Sequence, residues 1–124
     1  MKLLNKIKEK YNPSLKTALF IGRFQPFHDG HFYIFKKLLK KNDNVLIGLI
    51  NRPKDKKNPF PKNKVKDLIR KKLSKYNGYY KIIDIGNVHS FNYGRKVGYD
   101  IKKVSVPKKI EKISSTNIRS NLIK

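Results

Sequence analysis

Residues 22–31, GRFQPFHDGH, place two of the chain's three histidines, one Arg, one Gln and two Gly in ten positions. They follow directly on the apolar run Thr17–Gly22, TALFIG. An apolar run closed by Gly is the pattern of a buried parallel strand. Beyond it, Asp29–Lys41 sets Phe32, Ile34, Phe35, Leu38 and Leu39 on one face and Lys on the other, which predicts an amphipathic helix. The ten residues therefore read as a turn that leaves a strand, opens a helix and holds a phosphate. Gly30 lets backbone approach a ligand closely, the free N–H groups of the first helical turn point at that ligand, and the helix dipole favours an anion there. His28 and His31, three positions apart, reach the same bound group. Each can donate a hydrogen bond to phosphate oxygens that gain charge during transfer.

Outward from that turn the pattern repeats. Asn44–Ile50 (NVLIGLI) reads as a second buried strand, and residues 62–75 as a helix with Val65, Leu68, Ile69 and Leu73 facing inward. Residues 79–85 (YYKIIDI) read as a third strand, 101–106 as a fourth, and 115–123 as a short closing helix. At the other end, Leu3, Leu4 and Ile7 have helical spacing within residues 1–10, and YNPS at 11–14 breaks it. Alternating strands and helices predict an α/β fold: a Rossmann-like three-layer α/β/α arrangement with a mainly parallel sheet of four to five strands. Residues 1–124 form one domain in this reading, with a helical extension at 1–16 and a catalytic core at 17–124. Ligands of such sheets bind beyond the carboxyl ends of the strands, where residues 22–31 sit.

Composition narrows the classes. A chain of 124 residues can bury one modest core. With no cysteine, disulfides and thiolate metal sites are excluded and an intracellular setting fits. No apolar stretch has bilayer length, residues 1–10 lack a signal-peptide core, and no N-glycosylation sequon occurs. The expectation is a soluble, cytoplasmic protein with no membrane partner. A net charge of +23 and a pI near 10.3 raise a nucleic-acid partner. The basic residues are overwhelmingly Lys, however, with Arg only at 23, 52, 70, 95 and 119, and Lys is spread along the chain, in pairs such as Lys36-Lys37, Lys40-Lys41, Lys71-Lys72 and Lys108-Lys109. That spread reads as compositional bias, and it yields a general field that attracts polyanions such as nucleoside triphosphates. A nucleic-acid-binding protein on an inactive enzyme scaffold is the alternative of another class. Basic faces that read RNA interleave aromatics, and here Lys is scattered.

GRFQPFHDGH resembles the first signature of the HxGH nucleotidyltransferase superfamily, and its GRFQPxHxGH form resembles the nicotinamide mononucleotide adenylyltransferases within it. Residues 113–119, ISSTNIR, are similar to the superfamily's second signature, ISxTxxR. Asn58-Pro59-Phe60 resembles an NPF segment of the archaeal-type enzymes, and residues 93–99, YGRKVGY, resemble a GRxVGY stretch in other relatives. The resemblance covers about residues 17–124. Alone, ISSTNIR is also an ordinary helix N-cap, and the two histidines could be a surface and a capping residue. Both signatures at the two ends of one α/β pattern favour the functional reading.

The resemblance implies that an acceptor phosphate attacks the α-phosphate of a nucleoside triphosphate in line and that pyrophosphate leaves. No protein nucleophile is needed, so catalysis is positioning and charge stabilisation. It assigns His28, His31 and Arg119 to catalysis. Gly22, Arg23, Phe24, Gln25, Gly30, Ser114, Ser115 and Thr116 are assigned to the nucleotide and its phosphates. Asn58, Phe60, Phe91, Tyr93 and Arg95 are candidates for the acceptor. Mg²⁺ is expected on the triphosphate, held mainly by phosphate oxygens and water. Two His with only His89 as a third make a thin set for zinc. The chain departs from the archaeal-type pattern in continuing NPF with Pro61-Lys62-Asn63-Lys64, where that pattern has Thr-Ala-Gly-Glu-Arg, and in having no Trp to stack on nicotinamide. Being compact for the superfamily, it either lacks part of the acceptor pocket or completes it through a homo-oligomer. Arg-Phe-Gln-Pro at 23–26 argues for ATP and adenylyl transfer, with nicotinamide mononucleotide the first acceptor. Related cytidylyltransferases read closer to GTFDxxHxGH, which leaves CTP and a phosphoalcohol as the alternative.

Overall fold

The computed structural model describes residues 8–92 and 94. Their order is β1 (Thr17–Gly22), α1 (Asp29–Lys41), β2 (Asn44–Ile50), α2 (Lys62–Lys72), a 3₁₀ turn (Ser74–Tyr76) and β3 (Tyr80–Gly86). The three strands form a parallel sheet in the order β1-β2-β3, with Thr17 opposite Asn44, Gly22 opposite Leu49, and Val45 opposite Tyr80. This is the expected α/β architecture, with three strands among the described residues. The strand at 101–106 and the helix at 115–123 lie outside the described residues, as do 1–7.

Two crossovers that step the same way across the sheet put α1 and α2 on one face when both are right-handed. The burial pattern agrees. Val45, Ile47 and Leu49 alternate along β2 toward a core that includes Phe35 and Leu39 of α1, Val65 and Ile69 of α2, and Leu73 just beyond it. The alternate positions face away. Leu19, expected to be buried in β1, is 56% exposed because β1 is an edge strand of the described sheet and no described helix covers that second face. Among the described residues, no helix is long and apolar enough to cross a membrane.

The third strand is shifted by one residue from the expected 79–85, to Tyr80–Gly86, and two further boundaries differ from the periodicity. The α2 helix stops at Lys72 rather than 75, because the chain tightens at Leu73, where Tyr76 N donates to Leu73 O at 2.9 Å. The extension expected to be helical is not helical over residues 8–16, which run as coil, bends and a turn. Hydrogen bonds to the sheet replace helical ones there. Asn44 is fully buried at the start of β2, and its Oδ1 accepts from Lys8 Nζ and from Asn12 N at 3.3 Å. Its Nδ2 donates to Asn12 O at 2.7 Å and to Thr17 Oγ1 at 3.0 Å. Gly78 fixes the same arm from the other side. Its φ of +86° is a left-handed conformation, and a Cβ there would stand 2.1 Å from Lys8 O. Asn44→Ala is therefore expected to remove the buried amide's hydrogen bonds to Lys8, Asn12 and Thr17, which tie this arm to β2, and to cost about 1–3 kcal/mol. Urea denaturation would show it as a lower midpoint with an unchanged slope.

Candidate active site

The turn between β1 and α1 is built on an unusual backbone. Phe24 has φ +51°, a left-handed conformation for a non-glycine residue, and the Gln25–Pro26 bond is cis. The surroundings hold Phe24 in place. Its ring is 2% exposed and meets Phe20 edge-on at 5.2 Å, Phe27 at 5.4 Å and His31 at 5.0 Å. Gly22 is required beneath it, since a Cβ at that position would lie 2.9 Å from the Phe24 ring. The Gln25 amide spans to the loop between β2 and α2. Its Nε2 donates to Phe60 O at 3.0 Å and its Oε1 accepts from Phe60 N at 2.9 Å. The side chains of Phe24 and Gln25 thus shape the turn and tie it to the NPF segment, while Arg23 stands exposed.

His28 is the N-cap of α1. Its Nδ1 accepts from Gly30 N at 3.0 Å, and His31 Nδ1 accepts from His28 N at 3.1 Å, a reciprocal capping box made of two imidazoles. The rings stack with centroids 3.9 Å apart. This pairing fixes the protonation of both. A nitrogen that accepts from a backbone N–H carries no proton, so each neutral ring holds its proton on Nε2. Neither Nε2 has a hydrogen-bond partner among the described residues. Two Nε2–H donors therefore stand side by side at a helix N-terminus, an arrangement suited to phosphate oxygens. It is unsuited to a metal, which would need the Nε2 lone pair.

Burial keeps the rings neutral. It pushes the His31 pKa from the usual 6.5 down to about 3, with the neighbouring His28 adding to the shift. His28 is also lowered, chiefly by burial, with Asp29 opposing and Lys72 reinforcing the shift. Asp29 is engaged by Lys72, whose hydrogen bond holds the carboxyl below its usual range. The unfolded chain takes up a proton at His31 near pH 6.5, whereas the folded chain resists until about pH 3. Stability should thus be fully present above pH 6.5 and be lost progressively as pH falls toward 3. Urea midpoints across that range, compared with those of His31→Gln, would check it.

The other expected residues divide by place. Asn58 is buried, with Nδ2 donating to Asp55 Oδ1 at 3.0 Å and Oδ1 buried without a partner. Phe60 is bonded to Gln25 and packs against the core. Phe91 is 63% exposed. Tyr93, Arg95, Ser114, Ser115, Thr116 and Arg119 lie outside the described residues. One group lacked a motif in the sequence: Arg52, just past β2, gathers Asn87, Val88 and His89 from beyond β3. The only sequence signal for it was an Arg at a strand end in a chain that otherwise uses Lys.

A strand end, a distorted turn and a helix opened by two histidines match a known family. The cytidylyltransferase-like family matches residues 19–100, two thirds of the chain. This chain belongs to that family. Among proteins similar to it, the nicotinamide-nucleotide adenylyltransferase of Methanococcus aeolicus is 40% identical over 73 residues, 57% of this chain and 42% of that protein. The enzyme of the same name from Thermoplasma acidophilum is 39% identical over 80 residues, 60% of this chain and 45% of that protein. A bifunctional NMN adenylyltransferase/ADP ribose pyrophosphatase from Francisella tularensis, crystallised with AMP and a manganese ion, superposes with a TM-score of 0.54 at 28% identity. The match covers 58% of this chain and 23% of that one. The chain of this cytidylyltransferase-like protein spans less than half the length of these curated relatives. Residues 19–100 hold the whole turn, both histidines and the Arg52 group.

Proposed function

We propose that the chain is an adenylyltransferase that moves AMP from ATP to the phosphate of a small acceptor, nicotinamide mononucleotide first, and releases pyrophosphate. The observation that carries this reading is the pair of tautomer-fixed Nε2–H donors at the N-terminus of α1. An acceptor phosphate oxygen forms the new bond to the α-phosphorus as the bond to the bridging oxygen of pyrophosphate breaks. The attacking oxygen is already ionised, so no protein base has to remove a proton. What the protein supplies is alignment and stabilisation of charge on the transferred group. His28 and His31 donate to it from one side. Ser114, Ser115, Thr116 and Arg119 receive the outer phosphates, in keeping with their resemblance to the second signature. Gly22 and Gly30 keep the turn close to the ligand, and Arg23 adds charge. Mg²⁺ bound to the triphosphate would offset part of its charge, held by phosphate oxygens and water rather than by protein side chains. The nicotinamide-nucleotide adenylyltransferase relatives support adenylyl over cytidylyl transfer, and the absence of cysteine suits a cytoplasmic enzyme.

The test is pyrophosphate release with Mg²⁺ and each of ATP and CTP, using nicotinamide mononucleotide and then phosphoalcohols as acceptors. Release with ATP and the mononucleotide is the expected result. Release with CTP and a phosphoalcohol alone would keep the transfer chemistry and overturn the base and the acceptor.

A further inference from the structure

The ends of the three strands carry a second polar group beside the histidine turn. Arg23 follows β1, Arg52 follows β2, and Asn87 with His89 follows β3. Neighbouring parallel strands lie about 5 Å apart, so these positions line one edge of the sheet within about 10 Å. Asn51 N donates to Gly86 O at 2.7 Å, which brings the two chains together immediately before the group. Arg52 Nη1 donates to Asn87 Oδ1 at 2.9 Å and lies within 3.0 Å of both ring nitrogens of His89, while Nη2 donates to Val88 O at 3.1 Å.

Those contacts hold the guanidinium and leave part of it unused. A guanidinium has five N–H donors. Two on Nη1 and one on Nη2 are directed at Asn87, His89 and Val88. The remaining two, on Nε and Nη2, belong to atoms that share one edge of the plane, and no described residue accepts from them. That edge takes a carboxylate or a phosphate by two parallel bonds. Among the described residues no carboxylate pairs with Arg52: the ion pairs of Asp29, Asp67 and Asp84 are with Lys72, Arg70, and Lys62 and Lys66, and Asp55 accepts from Asn58 and Lys57. A simple brace between β2 and β3 would need only the bonds already made.

We infer that Arg52, oriented by Asn87, Val88 and His89, is the receptor for an oxyanion of the acceptor substrate. This inference rests on the proposed transfer reaction for the identity of that acceptor. The triphosphate lies over the histidine turn after β1, and the acceptor lies over the ends of β2 and β3, with its anionic group on the free edge of Arg52. Two oxyanions are available on such an acceptor: the phosphate, and a carboxylate on the base where one is present.

Calorimetric binding of nicotinamide mononucleotide and of nicotinic acid mononucleotide to the full chain separates them, since only the second carries a carboxylate. Arg52→Gln is expected to weaken binding by about tenfold or more. Weakening of both ligands assigns the phosphate to Arg52, and weakening of nicotinic acid mononucleotide alone assigns the carboxylate. Arg52→Lys, which keeps the charge and loses the planar edge, should weaken binding less than Arg52→Gln and preserves the test if the Gln variant does not fold. No binding to the unaltered chain, or equal affinity in the variants, overturns the inference. Arg52-dependent binding without pyrophosphate release would overturn the transfer reaction and leave the anion receptor standing.

Discussion

His31→Ala lowers pyrophosphate release by about two to three orders of magnitude, the usual effect of removing one preorganised donor to a transition-state oxyanion. The same substitution removes the acceptor of His28 N and a ring that packs on Phe24 and Phe27. A second variant separates these effects. Gln is the ordinary partner in a capping box, so His31→Gln keeps the bond to His28 N while losing the imidazole. Its activity should fall nearly as far as that of His31→Ala, and its urea midpoint should stay closer to that of the unaltered chain. Retained activity in His31→Gln would show that the cap, and not the Nε2–H donor, is what the reaction needs.

The largest effect on stability is expected at Phe35. Its side chain is fully buried and meets Tyr76 edge-on at 5.4 Å and Tyr80 at 6.0 Å, so it joins α1 to the 3₁₀ turn and to β3. Phe35→Ala removes those contacts and leaves a cavity, at a cost of about 3–5 kcal/mol. Small domains have about 5–15 kcal/mol in total, so most molecules of the variant stay folded only under mild conditions. Urea denaturation followed by circular dichroism reads the change. Because α1 also carries His28 and His31, activity should fall with the folded fraction and recover on cooling toward the temperature of maximum stability. A midpoint that did not move would mean that Phe35 is not part of the core.

The fold was legible where local chemistry and tertiary environment agree. The bounds of β1, α1 and β2 follow from apolar period and Gly punctuation alone, because each of these elements presents its apolar residues to one core. The end of α2 was less legible, since Leu73 continues the apolar period while the backbone turns to reach Tyr79 and β3. Leu19 misled for a related reason: the sequence shows an apolar side chain but not which face of the sheet the helices cover. Within the site, the two histidines and the helix start were readable from spacing. Their tautomers were not, because those follow from which backbone N–H each Nδ1 meets. The left-handed Phe24 carries no sequence mark, and the bonds of Gln25 to Phe60 and of Arg52 to Asn87 each join residues 35 positions apart. Such contacts are created by the parallel sheet, which brings successive strand ends together, and no local pattern encodes them.

The central claim is that the histidine turn transfers a nucleotidyl group. The most direct measurement follows ATP labelled on its α-phosphate in the presence of Mg²⁺ and nicotinamide mononucleotide. The label is predicted to appear in a dinucleotide joined through a pyrophosphate linkage, with unlabelled pyrophosphate released in equal amount and both formed about two orders of magnitude more slowly by His31→Gln. Label confined to ATP and its hydrolysis products, under conditions in which both nucleotides bind, would contradict the account.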